Sequence, residues 1–456
     1  MQHHQNFLNQ KESIMNTDKQ NIPILHIVHC IDTEGPLYED IQATFERLYS
    51  IFGIKMEASP ENLRKLQGKK IYLEGLEDAV AKCFAPELLK YNTNWAEISD
   101  MLDEALSSDF RSWMLDDFGN GWVYSWHCMD HIGYYENPRH KDVGYGNVFR
   151  YYKSKLALTE SSADEINWHF HPLSLARKPT QAATSYLNSY DVLLPIICRR
   201  ILDDQWFPVV NRPGFHAERP DSHAFMEQWI PFDYANQFVE EKEDQPDVSD
   251  GRFGDWRRAP KTWRGYHPSH DDYQVEGNCR RIIFRCLNLG TRLRSLTTEH
   301  FHEAFKEAKE NGSAVLAFAD HDYRDIRPDV ATFRSMLLKV KDQYPEVKIK
   351  FSGAEEAALA ISGNYFQPKL VLTTELIGNT FFVKSQEGEL FGPQPFLAIK
   401  TRSGQYFHDN MDLIEPGKVW AYVLDEQTFK VETLEKIGVG SAGRFGGYNV
   451  SVIETM

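Results

Sequence analysis

The stretch Ile24-Leu25-His26-Ile27-Val28-His29-Cys30-Ile31, followed at once by Asp32-Thr33-Glu34-Gly35, decides how the rest of the chain is read. The run is too short for a buried helix, is rich in β-branched residues, and ends abruptly in two carboxylates. That is the pattern of a strand covered on both faces, as in a parallel sheet. Working outward, similar runs recur at 122–126 (WVYSW), 166–170 (INWHF), 206–210 (WFPVV), 314–319 (AVLAFA) and 347–351 (VKIKF). Four of these also end in reactive residue types. WVYSW leads to His127, Asp130 and His131, and INWHF, with His169 inside it, leads to His171. WFPVV leads to Asn211-Arg212-Pro213-Gly214, and AVLAFA to Asp320-His321-Asp322. In parallel barrels the loops after the strands converge on one mouth, so the pattern predicts one site assembled from several strands.

Helices are expected over 299–310, with Thr298 as cap and Asn311-Gly312 as stop, and over 329–344 after Pro328. Strand and helix therefore alternate, which predicts an α/β fold. The segment 36–120 is richer in helix-formers and reads as an insertion packed on the barrel. From residue 365 short β-prone runs separated by Gly, Asn, Pro and Asp predict a β-rich C-terminal domain over 365–456. The expected organisation is a polar, flexible tail over 1–22, a body over 23–364 and that final domain. Gly438, Gly440 and Gly443 spell GxGxxG but have too little chain after them for a dinucleotide-binding unit, and read as a glycine-rich turn.

Fifty basic against 66 acidic residues give a net charge of -16, which disfavours nucleic acid as a partner. No run of about 18 apolar residues exists, so no membrane span is expected. The opening residues lack the apolar core of a signal peptide, and six scattered cysteines without a CxxC pair read as reduced core thiols. Both features place the expected location in the cytoplasm.

Asp32 and Glu34, two apart at a strand end, share a side and could serve as base and metal ligand, or as a loop cap and a solvent-facing acid. His169 and His171 likewise share a face and could chelate a metal, unless one of them is merely packed. His127 and His131 read as packed, with Asp130 kept as a substrate-binding residue lining the site. His300 and His302 read as surface residues, and His267 and His270 as loop polarity or cleft lining. No GxSxG elbow or HExxH is present.

Taken in order, DTEG, WHFHP, NRPGF, FDYAN and AFADHD resemble the polysaccharide deacetylase superfamily, the NodB-homology or carbohydrate esterase family 4 group, over roughly residues 23–355. The resemblance implies a distorted, incomplete (β/α) barrel and metal-dependent removal of acyl groups, acetyl above all, from amino sugars. It implies Asp32 as base, Glu34, His169 and His171 as ligands, Arg212 orienting the base, and His321 as general acid. It also places Trp256, within DWRRAP, on the wall of the substrate groove. The chain departs from the usual adjacent aspartates and HxxxH pair, a variant resembling enzymes of surface-polysaccharide biosynthesis. Two imidazoles and a carboxylate suit a divalent ion, zinc first, and a carbohydrate is the implied partner. Arg212 is expected to keep Asp32 charged, and Asp320 and Asp322 to support a protonated His321. Trp126, Trp168, Trp256 and Trp263 are expected near sugar faces or in packing. The competing reading is an inactive barrel used as a carbohydrate-binding or assembly module.

Overall fold

The computed structural model describes residues 22–240, 254–364 and 367–455. Apart from Ile22, the expected N-terminal tail lies outside the described residues.

Eight parallel strands make up the body: β1 (Ile24–Thr33), β2 (Ser125–Cys128), β3 (Glu165–Phe170), β4 (Val210–Pro213), β5 (Phe232–Asn236), β6 (Ile282–Asn288), β7 (Ser313–His321) and β8 (Lys348–Phe351). Their order is β2-β3-β4-β5-β6-β7-β1-β8, and β1 also pairs with β2, so seven strands close into a barrel. The expected incomplete ring is therefore a closed one. Its distortion sits at β1, which holds β7 along one edge and divides the other between β8, at Ile24–Ile27, and β2, from Cys30 onward. Nine of the ten β1 residues are buried, because the barrel interior covers one face and helices cover the other.

Several boundaries differ from expectation. The run 206–210 is not a strand: Pro208 lacks a ladder donor, and pairing starts at Val210, which puts Asn211-Arg212-Pro213 on β4 itself. Similarly, β2 begins at Ser125, so His127 is on the strand rather than after it. β5 and β6 lack a clean apolar run because Asp233, Asn236 and Arg285 interrupt them. Thr297 rather than Thr298 caps the helix Thr298–Asn311, with the His300 ring returning the bond to its backbone. Gly312 ends that helix at φ 82, a left-handed turn that glycine adopts without strain. The following helix spans Arg327–Lys341.

The insertion is helical as expected. Its first helices enclose a small core of Phe45, Leu48, Leu66, Val80 and Phe84. Its helix Trp95–Ala105 joins the main core through Ile98, Met101, Leu102 and Ala105. The C-terminal strands are β9 (Val371–Ile377), β10 (Thr380–Glu387), β11 (Phe396–Thr401), β12 (Tyr406–Asp409), β13 (Asp412–Glu415), β14 (Val419–Val423), β15 (Leu434–Ala442) and β16 (Tyr448–Glu454). They form two antiparallel sheets, β13-β14-β10-β9 and β12-β11-β15-β16. Gly438 and Gly440 lie on β15 and not in a turn. A Cβ on Gly440 would meet Phe207 and Ile201, so its bare backbone lets the second sheet rest on the helix Tyr190–Leu202.

Candidate metal centre

Strand register explains which side chains meet. Asp32 on β1 stands level with His127 on β2 and His321 on β7, and His169 on β3 stands level with Arg212 on β4. Partners in register share a face, so these residues gather at the C-terminal end of the barrel. Glu34 and His171 follow one residue beyond their strands.

Glu34, His169 and His171 have ligand atoms all within 4.8 Å of one another, a buried group able to hold a metal ion. The His169 and His171 Nε2 atoms face each other at 3.0 Å, and Glu34 Oε1 lies 3.7 Å from His171 Nε2. Two nitrogens on one tetrahedral zinc would be about 3.3 Å apart at bond lengths of ~2.0–2.1 Å. His169 Nδ1 donates to the Arg212 carbonyl oxygen at 2.6 Å, which leaves the lone pair on Nε2 turned toward His171. Burial lowers the His171 pKa to about 3, so its ring is neutral and available as a ligand. Burial alone would raise Glu34, yet the positive charge of Lys141, foremost among its neighbours, holds its carboxyl well below the usual range. The Lys141 ammonium stands 3.0 Å from Glu34 Oε2.

Beside this group Arg212, fully buried, donates from Nε to Asp32 Oδ1 at 2.7 Å and from Nη1 to the Tyr234 carbonyl at 3.0 Å. The orientation of Asp32 by Arg212 is therefore present. The expected electrostatics are not: burial outweighs Arg212 and His169, and the Asp32 pKa is raised. His321 Nε2 lies 3.7 Å from Asp32 Oδ2 and 3.9 Å from Glu34 Oε1. Burial drives its pKa well down, and neither neighbouring aspartate reverses this. Strand alternation turns Asp320 to His29, at 2.9 Å, and Asp322 accepts from the Glu34 and Gly35 backbone and from Tyr152.

Two expected substrate-binding residues do not reach the site. Asp130 is buried in an ion pair with Arg200 (2.6 Å) and accepts from the Gly146 N–H. Trp256 is fully buried against Ala235, Ala259, Tyr266 and Ile283. Its indole N–H donates to the His216 carbonyl at 3.0 Å, so it braces the segment that lines the pocket without lining it. Trp126, Trp168 and Trp263 are equally buried, and the aromatic walls are instead Tyr91, Tyr134, Phe215 and Tyr323.

Sequence reading took His131 as merely packed and passed over Lys141 and His216. His131 Nε2 donates to the Glu34 carbonyl at 2.7 Å, and His216 lines the pocket in a left-handed conformation (φ 51) beside Phe215 (φ 54). Consecutive non-glycine residues there carry backbone strain of the kind found at functional sites. For Lys141 the signal in the sequence was the basic cluster Arg139-His140-Lys141 in the loop after β2. No protein-family model matches the chain, no curated protein matches it, and no solved structure matches it.

Proposed function

We propose that the protein is a metal-dependent hydrolase that removes an acyl group, acetyl first, from an amino sugar or polysaccharide precursor. The observation that carries this reading is the convergence, at one barrel mouth, of the Glu34–His169–His171 group with the Asp32–Arg212 pair and His321. The resemblance of the motifs DTEG, WHFHP, NRPGF and AFADHD to polysaccharide deacetylases supports it from the sequence side.

Glu34, His169 and His171 would hold the ion, and their two imidazoles and one carboxylate suit zinc. A bound divalent ion supplies Lewis acidity, polarising a carbonyl oxygen and making water acidic enough to react near neutral pH. The chain itself handles the protons. Arg212 holds Asp32 Oδ1, so Oδ2 is the atom left to accept a proton from the attacking water. His321, neutral at rest, faces that same oxygen at 3.7 Å. In this reading it takes the proton from Asp32 and delivers it to the leaving amine as the C–N bond breaks.

The reading as an inactive binding or assembly module has one observation in its favour: Lys141 already supplies Glu34 with a cation. Metal analysis of protein purified without chelator separates the two, combined with acetate release from a panel of N-acetylated sugars. The hydrolase should carry one divalent ion per chain and release acetate. Asp32→Asn should keep the ion and lose about 10²–10⁴-fold in rate. A metal-free protein with no turnover would leave the binding module standing.

A further inference from the structure

The outer wall of the same pocket is cationic, although the chain as a whole carries a net charge of -16. Arg47 comes from the insertion, Arg139 from the loop after β2, and Arg292 from the loop after β6. Glu39 neutralises part of this. Its carboxylate pairs with both Arg47 and, at 3.1 Å, Arg139. Arg292 reaches no carboxylate among the described residues. It donates instead to the Cys83 and Leu88 carbonyls, at 3.2 and 3.3 Å, and to the Tyr91 hydroxyl at 3.0 Å. Arg47 donates to that same hydroxyl at 3.1 Å, so two guanidinium groups share one phenol oxygen. Glu46, the other carboxylate on this rim, is exposed and engaged by Gln42.

Three partly buried guanidinium charges facing one carboxylate are costly to assemble unless a further anion completes the set. Burial and the charge of Arg47 lower the Arg292 pKa to about 10, as expected of a cation lacking its counter-ion. Behind it Arg324, buried and stacked 5.0 Å over the Tyr323 ring, has two guanidinium nitrogens without a hydrogen-bond partner. The cationic wall also lies near the proposed chemistry. Tyr91 contacts Tyr323 edge-on at 6.0 Å between centroids, and Tyr323 contacts His321 at 4.7 Å.

We propose that Arg47, Arg139 and Arg292 form a phosphate-binding subsite, and that the substrate is a phosphorylated amino sugar. The sugar part of this rests on the hydrolase reading; the phosphate subsite does not. A phosphate ester carries about −1.5 to −2 charge and three acceptor oxygens, enough to neutralise the two guanidinium charges that Glu39 leaves over. Planar guanidinium forks also suit phosphate geometry. A carboxylate, with a single charge, would leave one of them uncompensated.

Calorimetric titration with inorganic phosphate at constant ionic strength tests the subsite, using the wild-type chain, Arg47→Gln, Arg292→Gln and His171→Ala. Phosphate should bind the wild type, weaken at least about tenfold in each arginine variant, and remain bound in His171→Ala. Arg292 also ties down two carbonyls, so Arg47→Gln, on a different element, guards against a folding defect. Binding lost in His171→Ala but kept in both arginine variants would place phosphate on the metal centre and overturn the proposal. Undetectable phosphate binding by the wild type would overturn it as well. In competition, N-acetylglucosamine 1-phosphate should displace phosphate better than N-acetylmuramic acid does, and the reverse order would make the subsite one for carboxylates. Acetate release is measured separately, so loss of the hydrolase reading would leave the phosphate result intact.

Discussion

An alanine at position 214 would place its Cβ 2.1 Å from Cδ2 of His171, in hard overlap with the imidazole ring. Gly214 is thus the hydrogen-sized gap that lets His171 sit against β4 with its Nε2 turned to His169. Gly214→Ala should push the ring away and weaken metal binding about 10–100-fold, the scale of lost ligand positioning. Metal content after dialysis against a graded chelator, with circular dichroism as a check on folding, measures this; an unchanged content would show that His171 is not a ligand. At this scale the sequence was informative where spacing and strand position act together. Asp32, Glu34, His169, His171, Arg212 and His321 were all legible as residues within or just after apolar runs. The protonation of Asp32 and His321 was not, because burial outweighs the local charges there and only the fold sets burial. Asp320 and Asp322 flank His321 in sequence, yet strand alternation turns both of them away from it.

Among the elements, the helix Tyr190–Leu202 does the most joining. Its outer side carries the sheet of β11, β12, β15 and β16, and its Arg200 reaches Asp130 in the loop after β2 as well as Asp204, at 2.9 Å, beyond its own end. Asp130→Ala would leave the Arg200 charge half-compensated in a buried setting. The expected loss is about 2–3 kcal/mol, below the 3–5 typical of a broken buried pair because Asp204 remains. Denaturant unfolding should report that loss with metal content unchanged, whereas a metal-depleted but fully stable variant would return Asp130 to the site. Element boundaries were the least legible feature. The run WFPVV looked like a strand, but Pro208 moves the pairing on to Val210–Pro213, and this shift is what sets Arg212 level with His169.

Across the whole molecule, the metal group, the Asp32–Arg212 pair and the cationic wall all lie before residue 325, and no residue of β9–β16 lines the pocket. The C-terminal strands are nonetheless not a free appendage. Phe391, Phe396, Ala398 and Ala442 belong to the main core, and Trp229 packs edge-on against Phe396 at 5.1 Å. Ending the chain before Pro368 should uncover Trp229 and Phe207, lower the melting temperature by about 10 °C or more, and spare metal binding at low temperature. An unchanged melting temperature would mean that the barrel folds without this domain. By itself the sequence determined the class of fold, the helical insertion, the β-rich end and the candidates for the metal group. Each of these follows from local periodicity, or from residue types placed at strand ends. Only the tertiary structure decided that the ring closes at seven strands, that Asp130 and the tryptophans serve packing, and that Arg47, Arg139 and Arg292 face one another. Those three arginines are separated by up to 245 residues of chain, and no local pattern records a neighbour that only barrel closure brings near.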